Sequence, residues 1–235
     1  MIYDPLYLAA LGVGALLSMW ASWRTKSNFK KYARVGVRSG MTGAEAAMAV
    51  ARAGGAHDVR IERHQGFLSD HYDPRVKSLR LSPDVYDGRS ISSIAVAAHE
   101  AGHAIQHAEA YGPLGMRSKL VPLTNIGNQL WFLPFMFGMI LISAQPFMGE
   151  LLMKVGVILF SLVVVFQLVT LPVEFDASNR AKKVLAQTGI VQTEEEAAGV
   201  SKVLGAAALT YVAAALSSLL QLAVLLLRAS GSSRE

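Results

Sequence analysis

Four stretches of this 235-residue chain are almost free of charge, and each is long enough to cross a lipid bilayer. They run from Pro5 to Trp23, Leu120 to Gly149, Leu151 to Val173 and Val203 to Leu227, and only Lys154 interrupts them. About 20 apolar residues span the hydrocarbon core as a helix, because nothing else there satisfies the backbone. The chain is 52% hydrophobic and 17% charged, against about a quarter charged in soluble domains. The deficit is concentrated in these four stretches, so the pattern is that of a membrane protein. The chain is expected to be mainly α, with about four transmembrane helices and room for one modest soluble region. There is no cysteine, which removes disulfides and thiolate metal sites from consideration and fits a reducing compartment.

The first stretch reads as a retained anchor. A signal peptide needs an early positive region and a small-residue cleavage site. Met1 to Asp4 carries no Lys or Arg, and the stretch ends in Trp20 and Trp23, which suit a membrane interface. Arg24, Lys26, Lys30, Lys31, Arg34 and Arg38 follow with no acidic residue among them. A nucleic-acid surface is one reading of such a cluster, but directly after a span the positive-inside rule is the better one. The N-terminus is then outside and the next segment cytoplasmic.

Within that segment, Thr42 and Glu45 form a capping-box pattern ahead of a helix that ends at Gly54-Gly55. His57 to Gln65 and Val76 to Ser82 alternate in character and are expected to be two strands of a hairpin, joined by the turn-rich run Ser69 to Pro74. A helix rich in Ala and Ile should follow from Ser90 to Ala108, capped by Ser90 or Ser92. Pro122 and Pro134 blur the start of the second span, whose apolar core begins at Leu130.

The helix from Ser90 contains His99-Glu100-Ala101-Gly102-His103, an HExxH match. Histidines four apart stand one turn above the other on one helical face, so both rings can reach one Zn2+ ion. Glu100 stands beside the metal without binding it and is expected to serve as general base. Zinc in such a site lowers the pKa of its water and polarises the scissile carbonyl. A catalytic zinc needs a third protein ligand and an open position. His107 continues the ladder, but a further turn sets its backbone about 6 Å along the axis. The metzincin spacing bends its third histidine round with a glycine; this chain has Gln106 there, and Glu109 where that histidine would be.

Glu174 is the other candidate, at the end of the third span in Leu171-Pro-Val-Glu-Phe-Asp-Ala-Ser-Asn-Arg180. With the N-terminus outside, the second span leads out and the third returns, so Glu174 emerges on the face that holds His99 and His103. Arg180, Lys182 and Lys183 repeat the positive signature there. The result is a His₂Glu zinc site. Asp176, Ser178, Asn179 and Arg180 are placed to orient a histidine or to hold the transition state. His64 and His71, the latter beside Asp70 and Asp73, read as a solvated turn rather than a second metal site.

The runs Gly40-Met-Thr-Gly-Ala44, Leu68-Ser-Asp-His-Tyr-Asp-Pro74, His99 to His107 and Leu171 to Ser178 come in an order and spacing that resembles the YugP-like neutral zinc metallopeptidases of bacterial membranes. The resemblance covers about Tyr32 to Lys183. It implies a zinc peptidase with His99, His103 and Glu174 as ligands and Glu100 as general base. The chain is also distantly similar to membrane gluzincins of the HtpX and CAAX-protease type, which carry Glu-x-x-x-Asp at the third ligand. Here the fourth position after Glu174 is Ser178, so the carboxylate that would orient a histidine is missing or supplied elsewhere.

The expected layout is an N-terminal anchor over 1–23, a cytoplasmic zincin-like α+β segment over 24–119 with the HExxH helix, and two spans over 120–173. A third-ligand helix and cytoplasmic segment follow over 174–202, then a last span and tail over 203–235. The expected activity is that of a metalloendopeptidase in the bacterial cytoplasmic membrane, with its site facing the cytoplasm. Its expected partners are a protein or peptide substrate and the lipid membrane, with no nucleic acid; a homo-oligomer or a membrane partner protein is open. Intramembrane proteolysis is disfavoured because the HExxH helix is bounded by Arg89 and by Glu109, Arg117 and Lys119. The competing non-enzyme reading is a membrane scaffold whose zinc site is structural or vestigial.

Overall fold

The computed structural model describes residues 5–66 and 69–231. They form a mainly helical protein with one small sheet. In chain order the elements are α1 (Pro5–Tyr32), α2 (Gly43–Ala53), β1 (Arg60–Arg63), β2 (His71–Asp73), β3 (Ser78–Leu81), α3 (Pro83–Tyr86), α4 (Ile91–Ala108), α5 (Gly112–Leu130), α6 (Phe132–Leu141), α7 (Pro146–Gln187) and α8 (Glu194–Gly231). Among the described residues, α1, α7 and α8 are long and apolar enough to cross a membrane.

The chain divides into two compact units. The apolar unit holds residues 5–20, 116–170 and 211–231. Leu16, Ile140, Phe147 and Ile158 stand exposed on it, which suits side chains that face lipid. The expected second span is not one helix here. It is divided at Trp131 into α5 and α6, because Pro134 lies in the first turn of α6 and has no N–H for the carbonyl four residues back. The small residues Gly138 and Gly149 let α6 and the start of α7 touch backbone to backbone. A Cβ on Gly138 would stand 2.6 Å from the Gly149 carbonyl oxygen, and such close approach is how helices gain packing energy in lipid.

The second unit holds Ala21–Gly115 and Leu171–Thr210. Its α2 begins with the expected capping box: Thr42 Oγ1 accepts from Glu45 N at 3.2 Å and Glu45 Oε2 accepts from Thr42 N at 2.7 Å. The helix stops at Gly54, followed by Gly55 at φ +87°, where a side chain would be strained. Ala46, Ala47, Val50 and Ala51 of α2 pack in one core with Ile94, Ala95, Ala98, Ala101 and Ile105 of α4. These small side chains let the two helices lie close, which is why the Ala-rich stretches read weakly in composition yet build a dense core. Ser90 caps α4 by accepting from Ser93 N. Ser92 Oγ instead donates to the Phe29 carbonyl.

The sheet departs from the expected hairpin. Its order is β1-β3-β2, with β1 parallel and β2 antiparallel to β3. The two segments expected to pair as a hairpin therefore run parallel, and β2 comes from the run expected to be a turn. Parallel strands need a connection long enough to carry the chain back, and residues 64–77 supply it. A three-residue strand is too short for alternation to reveal it among so many turn formers. Leu68, the first residue of one motif in the resemblance, lies outside the described residues. Asp70 fixes the end of the connection by accepting from Ser82 N at 2.7 Å and Ser82 Oγ at 3.0 Å.

Candidate metal centre

His99, Glu100 and His103 lie on α4, and Glu174 lies on α7. Two features of the sequence bring these helices together. Gly102 faces Ala177, and a Cβ built on Gly102 would come within 2.5 Å of the Ala177 carbonyl oxygen. Ala177 itself is fully buried. Neither residue has bulk to hold the backbones apart, so the side chains one turn away on each helix meet.

They meet in a metal-ligand arrangement. Glu174 Oε2 lies 3.2 Å from His99 Nε2 and 3.6 Å from His103 Nε2. Four donors held about 2.05 Å from a zinc ion at tetrahedral angles stand about 3.3 Å apart. Both separations from Glu174 are close to that spacing, and the three ligand atoms lie within 4.8 Å of one another, so the residues fit the metal. Glu174 and His103 are buried and His99 is nearly so. Burial favours the neutral ring of His103, but the hydrogen bond it donates to Glu174 and the charges of Glu100 and Glu174 outweigh this and raise its pKa above the ordinary value. A buried carboxylate between two imidazoles is costly unless cations share it.

The other ring nitrogens are held as well. His99 Nδ1 lies 3.1 Å from Ser178 Oγ, and His103 Nδ1 lies 3.0 Å from Gln106 Oε1. Gln106 is fully buried and donates to the Val173 carbonyl and to Asp176 Oδ2, both at 2.8 Å. Arg180 Nε donates to the same Asp176 oxygen at 2.5 Å, and its Nη1 donates to Glu109 Oε2 at 2.5 Å. The guanidinium also lies over the Tyr111 ring. Asn179 is exposed.

Comparison with known proteins meets this geometry. The family model described as "Putative neutral zinc metallopeptidase" matches residues 7–230. The chain belongs to that family. It is 50% identical over 222 residues to the Bacillus subtilis (strain 168) protein called "Putative membrane protease YugP", an overlap that covers 94% of each chain. No solved structure matches. In this chain a His/His/Glu group able to bind a metal ion is present, and among the described residues it is the one such group of three.

His107 is outside that group. Its Nδ1 lies 2.8 Å from the Tyr72 hydroxyl of β2, and both residues line a cavity of about 320 Å³ with Ala104, Asp58 and Lys77. His64 and His71 stack edge to face, and His71 Nδ1 lies 2.8 Å from the Ser69 carbonyl. Glu100 is buried and close enough to Asp70 to affect it. Burial pushes the Asp70 carboxyl up, hydrogen bonds from Ser82 oppose this, and the Glu100 charge adds to the rise.

Gln106 escaped the sequence reading, which noted it only as a missing glycine. A lone amide in a helix usually faces solvent. The available signal was its place three residues after His103, on the same helical face.

Proposed function

We propose that this chain is a membrane-embedded metalloendopeptidase in which His99, His103 and Glu174 hold zinc and Glu100 is the general base. The observation that carries the reading is the spacing of the three donor atoms. Zinc bound there would supply a Lewis acid that polarises water and the scissile carbonyl. Glu100 would take a proton from the attacking water and deliver it to the leaving amine. The edge strand β2, which packs against α4, would receive the substrate as an added strand. Arg180 is shared between two carboxylates, so its proposed part is to fix Asp176; Asn179 is free to contact substrate from the exposed face of α7.

A parity argument supports the proposed membrane layout. His99 and Glu174 meet, so the chain between them crosses the bilayer an even number of times. One crossing is the apolar part of α7. The other is assigned to α5 and α6 in tandem, which gives four spans with α1 and α8. The basic run from Arg24 to Arg38 and Arg180, Lys182 and Lys183 support a site on the cytoplasmic face of the membrane.

The test uses the detergent-purified full chain, with zinc measured by elemental analysis and cleavage measured on an unfolded soluble protein. Wild type should carry about one zinc per chain. Glu174→Ala should lose it, because two protein ligands do not hold a catalytic zinc. Glu100→Gln should keep zinc and lose cleavage by about 10²–10⁴-fold. A Glu100→Gln variant with full cleavage would remove Glu100 from the mechanism. A zinc-loaded wild type that cleaves nothing would favour the scaffold.

A further inference from the structure

We infer that Gln106 is the positioning residue that sets the tautomer of His103 and so decides which ring nitrogen is offered to the metal. The inference rests on the His₂Glu reading and adds to it a residue that neither the motif nor the third-ligand helix supplies.

The argument starts from the two ends of one amide. A glutamine side chain has an oxygen that only accepts and a nitrogen that only donates. Which end points where is normally settled by partners rather than seen directly. Here the partners leave one choice. The nitrogen faces the Val173 carbonyl and the Asp176 carboxylate, which in this setting only accept. Turning the amide over would set its oxygen against both acceptors in a fully buried place, at the cost of two hydrogen bonds. Oε1 therefore faces His103 Nδ1 at 3.0 Å. An oxygen that only accepts requires a donor opposite, so Nδ1 carries the proton. The neutral ring then keeps its lone pair on Nε2, the nitrogen that lies 3.6 Å from Glu174 Oε2.

Asp176 holds the amide in this sense, and Arg180 holds Asp176. A carboxylate thus orients the histidine through an intervening amide. Metal-bound histidines usually donate their second nitrogen to a carboxylate, a carbonyl or water. A bare carboxylate at position 106 would place another charge in the core beside Glu100 and Glu174. The amide gives the same direction without that charge. His99 differs, because a serine hydroxyl can donate or accept, and Ser178 alone does not dictate its tautomer.

The test is made on the full chain in detergent. Side-chain ¹⁵N resonances of His103 are recorded in the zinc-loaded wild type, in Gln106→Leu and in Gln106→Glu, together with zinc affinity for each. Wild type should show His103 bound through Nε2 with the proton on Nδ1. Gln106→Leu should weaken zinc by about 10–100-fold, the usual cost of losing such a partner, and the Nδ1 proton should lose its hydrogen-bonded shift. Gln106→Glu, whose protonated carboxyl can donate to Asp176 and accept from His103, should bind within a few-fold of wild type. Metallation of wild-type His103 through Nδ1 would overturn the inference even if neither variant folds. So would Gln106→Leu with wild-type affinity and an unchanged Nδ1 signal. A wild type that binds no zinc fails the His₂Glu reading itself, a distinct result seen without any variant.

Discussion

Gly102 sits against the backbone of Ala177 so closely that a methyl group on it would meet the Ala177 carbonyl oxygen at 2.5 Å. That contact sets the separation of α4 and α7 at the level of the metal ligands. A backbone oxygen cannot turn aside as a flexible side chain can, so the helices themselves must move. Gly102→Ala gains about 1 kcal/mol of helix propensity and meets overpacking of about 1–3 kcal/mol. The variant is expected to be destabilised by up to about 2 kcal/mol on balance. It should also bind zinc more weakly, because Glu174 travels with Ala177. Thermal unfolding and zinc titration on the purified chain check both effects. Full zinc affinity in the variant would show that the ligand spacing does not depend on this crossing.

Ser178 Oγ lies 3.1 Å from His99 Nδ1. Removing the hydroxyl in Ser178→Ala should cost about 10–100-fold in zinc affinity. Ser178→Asp should restore a firm acceptor for the ring and bind zinc at least as well as Ser178→Ala, at some cost in burying a charge. Competition with a chelator of known affinity orders the three proteins. Equal affinity in wild type and Ser178→Ala would mean that packing alone holds His99.

Zinc affinity should fall as the medium becomes acidic. The ring of His103 holds its proton to higher pH than an ordinary histidine in the metal-free protein, and a protonated ring cannot bind metal. Affinity is therefore full above that raised pKa. It drops by about tenfold for each pH unit below it, as one proton competes for the nitrogen. Zinc titrations across pH 5–9 with proton release followed in parallel would show it. Uptake without proton release at any pH in that range would contradict the sign.

The absence of native cysteine makes single-cysteine labelling direct. Gln145→Cys lies between α6 and α7, and Val76→Cys lies on the exposed connection between β2 and β3. With four spans, a maleimide that cannot cross membranes should label position 145 in intact cells. It should reach position 76 only after the membrane is opened. Labelling of both only after opening would reduce the crossings between His99 and Glu174 to none.

Much of the site could be read before any fold was known. His99 and His103 are four apart on a capped helix, and that geometry is local. The Thr42–Glu45 and Ser90 caps were legible for the same reason, since each bond joins residues three apart. Glu174 was reached by a topological argument, because span order and positive charge constrain which segments share a face. β2 was hidden, since three residues between turn formers carry no period. The division of the second span at Trp131 was only half legible: Pro122 and Pro134 both marked trouble, yet Pro122 lies inside α5 and only Pro134 falls at the break.

The sequence by itself determined a membrane protein with an HExxH helix and a carboxylate at the end of a later span. These follow from hydropathy and helical period, which act over a few residues. Only the tertiary structure decided that Gln106 bridges His103 to Asp176, that Arg180 is shared between two carboxylates, and that β1 and β3 run parallel. Gln106 and Asp176 stand 70 positions apart, and no local preference encodes such a pairing. It exists because Gly102 and Ala177 let two helices approach until a buried amide reaches both the ring and the carboxylate.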